Sequence, residues 1–324
     1  MNILICGLGS IGKRHLKLLR NAGVENIIAL RSLRNDNKTD PDAIADLEIN
    51  DLNELGGQKI DGAVISNPTS LHIETATELA RKGIPLLIEK PLGKDLSGAD
   101  ELLRIVKEKK LPVLMGYNLL HHPGITGMKK LMEDGKIGKV ISAKAQFGTY
   151  MPGWHKDEDY KKSYAANASM GGGVVLTSIH EQNYLTDMFG EITDVIAMEA
   201  GGNVTEIDAE EAVEILMRHS SGVVSNIHLN FFQKPYYRNC QIIGTEGTLL
   251  WDFMIPEIKV LYKDKTEVIS LGDDPMELLG ISYKKQTEHF LDIIKNNTAP
   301  RAGLDRGIKD METALKILKD IGRN

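Results

Sequence analysis

Two spacings of hydrophobic residues alternate along the first 120 residues of the chain. Short apolar runs predict buried strands; they lie at 2–6, 26–30, 61–66, 84–88 and 112–117. Between them, apolar residues recur at helical spacing in stretches at 10–23, 70–83 and 97–110. Strands alternating with helices predict an α/β fold with a doubly wound parallel sheet. Residues 36–57 show no clear strand pattern, so no strand is assigned there.

The pattern changes after about residue 120. Apolar and polar residues now alternate one by one, which is typical of half-buried antiparallel strands; these stretches lie at 138–151, 212–231, 240–253 and 258–271. Helices are expected near 124–134, 171–189, 281–296 and 305–321. The predicted domains are therefore residues 1–120, a Rossmann-type unit, and residues 121–324, an α+β unit with a large, mostly antiparallel open sheet.

Composition and charge exclude several classes of protein. The chain has 324 residues, 42% apolar content and a net charge of -6, with no basic block, which argues against a nucleic-acid partner. Its two cysteines, Cys6 and Cys240, show no disulfide or metal-site spacing, so we expect a reducing, cytoplasmic location. No apolar run reaches the ~20 residues of a membrane helix, so no membrane partner is expected. His121 and His122 are adjacent, with no cluster of further ligands in sequence, and no metal is predicted.

The first chemical motif is a glycine-rich turn between the first strand and the first helix. Gly7, Gly9 and Gly12 have the G-x-G-x-x-G spacing, with Ser10 and Ile11 inside it. Such a turn lets a pyrophosphate approach the backbone at a helix N-terminus. We predict dinucleotide binding; the alternative is a glycine-rich turn that binds nothing.

The residues after the second strand indicate which dinucleotide is used. NAD-specific sites usually place an acid there to bind the ribose hydroxyls, but this chain has Arg31, Ser32 and Arg34. Arginine attracts the 2′-phosphate of NADP. We therefore expect NADP to be preferred over NAD, unless the loop is simply basic and solvated.

Further candidate cofactor residues follow the strand at 61–66. Asn67 and Pro68 come directly after it, and ligands of open α/β sheets bind beyond the carboxyl ends of the strands. His72 lies a few residues later in the first turn of a helix. It is kept as a candidate cofactor residue, although a histidine with no chemical role is the preferred interpretation.

The strand at 84–88 ends in an acid and a lysine. Glu89 and Lys90 precede Pro91, which restricts the backbone after the lysine. At this end of the sheet, Lys90 could hydrogen-bond a substrate hydroxyl and stabilise the oxyanion that forms as hydride leaves. Glu89 could orient Lys90, and both Glu89 and Lys90 are candidate cofactor-binding residues. The alternative is a structural ion pair.

Taken together, the motifs GLGSIGKRH, NPTSLH, EKPLG, GYN, GKIGKV and GGGVVLTSIHEQNY resemble those of the glucose–fructose oxidoreductase / myo-inositol dehydrogenase / MocA family. The resemblance covers nearly the whole chain, and EKP is its most specific motif. It implies a Rossmann domain, a second domain with an open sheet through which members usually oligomerise, and hydride transfer between NAD(P) and a sugar, cyclitol or sugar nucleotide. It also implies that Lys90 and His180 are the catalytic-site residues.

His180 follows a run of three glycines, and imidazole is suited to proton transfer near neutral pH. A satisfied core histidine is the alternative. The chain departs from the family around this residue: Leu176 and Asn183 occupy positions where many members carry Asp, and Leu120 replaces a common Arg. His180 would therefore work alone or with Glu181, and turnover could be slow or lost.

Candidate substrate residues come from the GYN motif, the following aromatic loop and the His180 helix. Aromatic side chains mixed with polar ones suit a sugar, whose faces are apolar and whose edges are polar. The alternative is that these residues form a surface flap or a subunit contact. The loop and HEQNY together resemble a subgroup associated with bacterial surface-sugar pathways, including those for sialic-acid-like sugars. The candidates are Tyr117, Asn118, Trp154, His155, Tyr164 and Asn183.

These observations predict an oxidoreductase that uses NADP, or NAD, on a sugar-type small molecule and assembles as a homodimer or homotetramer. The alternative is a regulatory or sensor protein of the same fold that binds the cofactor without efficient turnover. The pair of absent acids near His180 motivates this alternative.

Overall fold

The computed structural model describes residues 1–31, 44–154 and 159–323. It divides into two compact units. The first contains Met1–Tyr117 and Tyr283–Met311, and the second contains Asn118–Ser282 and Glu312–Asn324. The expected domain boundary at residue 120 remains a prediction, and the assignment of residues 283–311 to the first unit was not anticipated.

The first unit is built on a sheet of six parallel strands in the order β3-β2-β1-β4-β5-β6. The strands are β1 (Asn2–Cys6), β2 (Asn26–Leu30), β3 (Leu47–Ile49), β4 (Gly62–Ile65), β5 (Leu86–Glu89) and β6 (Val113–Gly116). The helices of the chain are α1 (Ser10–Asn21), α2 (His72–Arg81), α3 (Ala99–Lys109), α4 (Pro123–Glu133), α5 (Val174–Thr177), α6 (His180–Phe189), α7 (Pro275–Asn296) and α8 (Leu304–Asp320).

The core of the first unit explains its strands. Ile3 and Ile5 of β1 are fully buried against Leu16 and Leu19, which lie on one face of α1. Phe290, from the part of α7 that belongs to this unit, joins the same cluster. Strands buried on both faces read as continuous apolar runs, which is why the sequence pattern located most of them. The short strand β3, in the stretch left unassigned, has only one buried residue and carried no such signal.

The second unit contains one sheet of eight strands in the order β14-β13-β12-β11-β7-β10-β9-β8. All neighbouring pairs are antiparallel except β7 and β10, which are parallel. The strands are β7 (Val140–Tyr150), β8 (Ile192–Glu199), β9 (Ala212–His219), β10 (Val224–Asn230), β11 (Phe232–Gly244), β12 (Thr248–Asp252), β13 (Ile255–Leu261) and β14 (Thr266–Ser270). The predicted fold class, with a mostly antiparallel sheet, is confirmed. β7, whose pattern is typical of an antiparallel strand, is antiparallel to β11 and parallel to β10.

The sheet of the second unit is two-faced. Along β9 the residues Val213, Ile215 and Met217 are buried, while Glu214, Leu216 and Arg218 between them are exposed. Successive side chains of a strand point to opposite faces, so one face packs in the core and the other is open.

The helix expected over 171–189 is interrupted. α5 ends at Thr177, and α6 begins at His180. Ser178 between them has φ −109° and ψ 34°, outside the helical range. As a result, His180 is the first residue of a helix and not a residue within one.

Candidate functional site

The glycine-rich turn is shaped by close approaches of the backbone. Gly7 has φ +93°, and a Cβ there would lie 2.7 Å from the Cα of Asn67. A Cβ at Gly12 would lie 2.0 Å from the carbonyl oxygen of Gly7. The Ser66 hydroxyl donates to that same carbonyl at 2.9 Å. Two of the three motif glycines are therefore required by the protein itself.

Gly9 differs, because a Cβ on it would meet no atom of the other described residues within 4 Å, its chain neighbours aside. Gly9 is the N-cap of α1; no side chain caps this helix end, and the first turn, which contains Ser10 and Ile11, has no acid. Free N–H groups and the helix dipole there favour an anion. The open space beside Gly9 and the uncapped helix end fit the pyrophosphate of a dinucleotide.

At the end of β2, Arg31 contacts a carboxylate. Its Nη1 lies 2.9 Å from Oε2 of Glu48 on β3. The predicted partners Ser32 and Arg34 lie outside the described residues. An acid therefore stands beside the arginine expected to attract a 2′-phosphate, although none follows β2 directly in sequence.

Asn67 lies against the glycine-rich turn, as the contact with Gly7 shows. Its Nδ2 donates to Thr75 Oγ1 at 2.8 Å, whereas its Oδ1 is buried without a hydrogen-bond donor from the described residues. Pro68 follows it and precedes a short 3-10 turn over Thr69–Leu71. This position agrees with a place beside the cofactor, while the role itself remains a prediction.

The carboxylate of Glu89 faces the interior of the first unit. Glu89 is 6% exposed, and its Oε1 lies 2.7 Å from Nε2 of His15, a buried residue of α1. A Cβ at Gly116 would lie 2.9 Å from the Glu89 Cα, so only glycine fits beside it on β6. The other oxygen accepts from the backbone N–H of Lys90 at 3.3 Å. This geometry supports a role in orienting Lys90 and gives no support to direct cofactor contact by Glu89.

His72 holds the other side of the same segment. Its Nδ1 and Nε2 each lie 2.9 Å from a backbone carbonyl oxygen, that of Pro91 and that of Asn67. Burial lowers the pKa of His72, and the two carbonyl contacts and Glu89 oppose that effect. With both ring nitrogens against backbone, His72 connects two motifs structurally, and its candidacy as a direct cofactor ligand finds no support here.

Lys90 is therefore placed by several contacts around it. It follows the fully buried strand β5 at its carboxyl end and is itself half-buried. His15 contacts Glu89, the residue before Lys90. His72 contacts the carbonyl oxygen of Pro91, the residue after it. Sequence reasoning missed His15, although it lies in the GLGSIGKRH motif and shares the buried face of α1 with Leu16 and Leu19.

In the second unit, His180 begins α6 and is 7% exposed. The neighbouring Glu181 is fully buried, and its Oε1 lies 2.8 Å from Nε of Arg238 on β11. Burial works against the charge of Arg238, but Glu181, Tyr236 and Tyr184 together outweigh burial, and the pKa of Arg238 is raised. Glu181 is thus part of a buried ion pair, which argues against its expected use as the proton partner of His180.

Two expected substrate residues are engaged inside the protein. Tyr117 is 1% exposed, and burial together with Asp310 raises its pKa well above the usual range. Asn118 is 3% exposed and donates to Ser282 Oγ at 2.9 Å. Their burial does not favour contact with a substrate.

The aromatic loop is better placed for binding. Trp154 donates from Nε1 to Thr149 Oγ1 at 2.9 Å and packs edge-on against Phe231, while remaining partly exposed. Tyr164 is 43% exposed, Asn183 is buried on α6, and His155 lies outside the described residues. Trp154 and Tyr164 remain the candidates with accessible surface.

A second residue that sequence reasoning missed supports the entry to α5. Glu210 accepts from the backbone N–H of Val175 at 3.0 Å. Gly173 has φ +93°, and a Cβ there would lie 2.2 Å from the Glu210 carboxylate. Burial is the largest cause that raises the pKa of Glu210, to about 7. No sequence signal marked this acid, because its contacts lie about 35 residues back along the chain.

Two general features bear on the type of site. None of the described helices is long and apolar enough to cross a membrane. Within the described part of the chain, no three His, Cys, Asp or Glu residues are grouped so as to hold a metal ion.

Comparisons with known proteins identify matching families for two stretches of the chain. Residues 1–117 match a family model described as an oxidoreductase family with an NAD-binding Rossmann fold, and residues 125–250 match the GFO/IDH/MocA C-terminal domain. An inositol 2-dehydrogenase of Rhizobium meliloti is 27% identical over 306 residues, 90% of this chain and 88% of that protein. A 1,5-anhydro-D-fructose reductase of Ensifer adhaerens is 24% identical over 274 residues, 82% of this chain and 78% of that protein.

Among solved structures, a levoglucosan dehydrogenase in complex with NADH and levoglucosan superposes with a TM-score of 0.85. The likeness covers 99% of this chain and 97% of that chain at 17% identity, and shows the fold. The matched family models together span most of the sequence, and they contain the glycine-rich turn, Lys90 and His180. The chain belongs to the GFO/IDH/MocA family of oxidoreductases.

Proposed function

We propose that the protein transfers hydride between a nicotinamide cofactor and a hydroxyl or carbonyl group of a sugar, anhydrosugar or cyclitol. The observation that carries this proposal is the placement of Lys90 at the carboxyl end of β5, with Glu89 and Pro91 held by two buried histidines. The names of the inositol and anhydrosugar relatives support the substrate class.

The cofactor would bind with its pyrophosphate at Gly7, Gly9 and Gly12 and at the first turn of α1. When bound, it supplies the hydride acceptor or donor. Asn67 and Pro68 would border it, since they lie against the same turn. The basic residues Arg31, Ser32 and Arg34 support a preference for NADP, whereas the NADH complex of the levoglucosan dehydrogenase supports NAD.

Lys90 would act on the reacting oxygen. An ammonium group that donates a hydrogen bond to a substrate hydroxyl stabilises the negative charge that develops as the hydride leaves. Since a donor held in place before the reaction is worth more than a mobile one, the contacts of His15 and His72 around this segment are expected to contribute.

His180 would take or give the proton of the reacting hydroxyl. Its place at the start of α6 and its neighbour Glu181, anchored by Arg238, support a fixed orientation. The residues at the family's acidic positions, Leu176 and Asn183, do not carry charge. The proton of His180 would therefore not pass to an acid at either of these two positions.

The absent acids favour one second candidate, a regulatory or sensor protein of the same fold that binds the cofactor without efficient turnover. The two candidates differ in one measurement. An oxidoreductase changes the absorbance of the nicotinamide with at least one member of a panel of inositols, anhydrosugars, amino sugars and sugar nucleotides. A sensor binds the cofactor but leaves its absorbance unchanged. Sugar nucleotides and amino sugars remain our more specific substrate proposals.

We also propose a homodimer or homotetramer in the cytoplasm. Ile196 of β8 and Leu216 of β9 are paired neighbours on the sheet and are 60% and 44% exposed. Exposed apolar neighbours are a common feature of interfaces. Light scattering at micromolar concentration measures the state, and a clean monomer would contradict the proposal.

The cofactor site has a test that uses the open space beside Gly9. Gly9→Val places a Cβ where the described residues leave open space, so the melting temperature should stay near that of the wild type while NADH and NADPH binding is lost. Gly280→Val is the matched control, because a Cβ at Gly280 also meets no atom within 4 Å. If Gly9→Val binds both nucleotides as the wild type does, the proposed cofactor site is wrong.

A further inference from the structure

Arg31, which would attract the 2′-phosphate of NADP, contacts Glu48, whose carboxylate would repel that phosphate. Arg31 is the residue directly after β2, where a dinucleotide-binding fold meets the adenine ribose. Its Nη1 lies 2.9 Å from Glu48 Oε2, and the two side chains are 28% and 49% exposed. The pair is thus accessible to a ligand.

The sheet explains why these two residues meet. β2 and β3 are parallel, and Glu48 is paired with Ala29. Arg31 lies two residues beyond Ala29 and therefore points to the same face. The backbone N–H of Arg31 also donates to the carbonyl oxygen of Ile49 at 2.9 Å, so its position against β3 is held by the main chain.

Asp46, two residues before Glu48, has other partners. Asp46 lies 2.6 Å from Arg20 Nη2 and accepts from the backbone N–H of Ile27 at 2.6 Å. The largest cause acting on its pKa is burial, which raises it, but the contacts with Ile27 and Arg20 outweigh burial and lower it. Glu48 is thus the carboxylate that faces Arg31 from β3.

We propose that Glu48 sets the discrimination between NADPH and NADH by occupying the guanidinium of Arg31. This inference rests on the proposed function, since it requires a bound dinucleotide. A 2′-phosphate can pair with Arg31 only if it displaces the carboxylate, and the displaced carboxylate repels it. NADH has ribose hydroxyls in place of the phosphate and does not need the guanidinium. Glu48 therefore weakens NADPH binding and leaves NADH binding nearly unchanged.

The first experiment compares Glu48→Gln with the wild type by fluorescence titration with NADPH and with NADH. The ratio of the NADH to the NADPH dissociation constant should rise about tenfold or more, mainly through tighter NADPH binding, because a charge-assisted contact is released for the phosphate. Glu101→Gln is the matched control. Glu101 is an exposed acid 2.6 Å from Arg81 Nη2 on α2, and its substitution should leave the ratio unchanged.

The second experiment repeats Glu48→Gln in an Arg31→Gln background. If Glu48 acts through Arg31, its substitution there should change the ratio by less than about twofold. An equal change in both backgrounds would overturn the proposal, and so would an unchanged ratio in Glu48→Gln with intact Arg31. If the wild type binds neither nucleotide, both this inference and the proposed cofactor site fail. Normal binding with an unmoved ratio overturns only the role of Glu48.

Discussion

The two units place a buried carboxylate next to each candidate catalytic residue, but with different partners. Glu89 precedes Lys90 and contacts the imidazole of His15. Glu181 follows His180 and contacts the guanidinium of Arg238. An imidazole can lose its charge when its partner is removed, whereas a guanidinium stays charged in a protein. Removal of the acid therefore does not force an unpaired buried charge on the first unit, whereas it does so in the second unit.

A third buried carboxylate extends the comparison. Glu210 is bound by a backbone N–H group, and Arg323 and Glu199 act on it with opposite signs. Burial dominates there, and the acid prefers to be neutral. Partner chemistry, and not burial alone, thus decides which of the three acids stabilises the fold as an anion. The same substitution, glutamate to glutamine, separates the three cases.

Glu181→Gln should have the largest effect. It leaves Arg238 charged and buried without its partner, which should lower the free energy of unfolding by ~3–5 kcal/mol. Chemical denaturation measures the loss. Adding Arg238→Met should recover much of it, because the orphaned charge is removed. The control Glu108→Gln breaks the exposed pair with Arg104 and should cost no more than about 0.5 kcal/mol. Equal losses in both variants would contradict the comparison.

Above neutral pH, Glu210→Gln should raise the free energy of unfolding, the opposite of the effect of Glu181→Gln. The pKa of Glu210 in the folded protein, about 7, is higher than the ordinary value of 4.5. The wild type therefore loses stability as pH rises from about 4.5 to about 7, by at most roughly 3 kcal/mol. Glutamine keeps an acceptor for Val175 and carries no charge. The stability of the variant relative to wild type should rise between pH 5 and pH 8 and level off above that.

Thermal unfolding of both proteins across this range checks the sign. Glu206→Gln is the control, since Lys161 lowers the pKa of that exposed acid by a side-chain hydrogen bond and the effect falls at acidic pH. A flat difference for Glu210→Gln between pH 5 and pH 8 would show that the pKa of Glu210 is not raised in the folded protein.

Lys90→Met tests function in the first unit. Turnover should fall by ~10²-fold or more if Lys90 is a preorganised donor to the developing oxyanion. The melting temperature and nucleotide affinity should change little, because methionine fills a similar volume. Lys94→Met, an exposed lysine four residues on, should behave as wild type. A stable Lys90 variant with near-normal turnover would refute the catalytic role, and reduced stability with normal turnover would indicate a structural pair.

Of the three substitutions of a buried glutamate, Glu89→Gln should have the smallest effect on the free energy of unfolding. The glutamine amide can still hydrogen-bond the imidazole of His15, so the free energy of unfolding should fall by only about 1 kcal/mol. Chemical denaturation of Glu89→Gln and Glu181→Gln under the same conditions compares the two losses of stability. If Glu89→Gln destabilises as much as Glu181→Gln does, then the first unit depends on a charged pair, and the contrast between histidine and arginine partners is wrong.

The resemblance to the family was visible in the sequence because its motifs are local. The glycine spacing, the EKP segment and the helix that carries His180 each occupy a few consecutive residues. Family models that match residues 1–117 and 125–250 confirm that resemblance. The break before His180 was missed, because Thr177 and Ser178 do not interrupt the apolar spacing around them.

By itself, the sequence determined the alternation of strands and helices, the turn that would hold a pyrophosphate and the identity of Lys90 and His180 as candidates. Tertiary structure decided what surrounds them. His15 meets Glu89 across 74 residues, Arg238 meets Glu181 across 57, and Arg31 meets Glu48 through the register of two parallel strands. Strand order and register bring such partners together, and periodicity along the chain contains no information about either. For that reason the reacting groups could be proposed from the sequence, while the charges that hold and tune them could not.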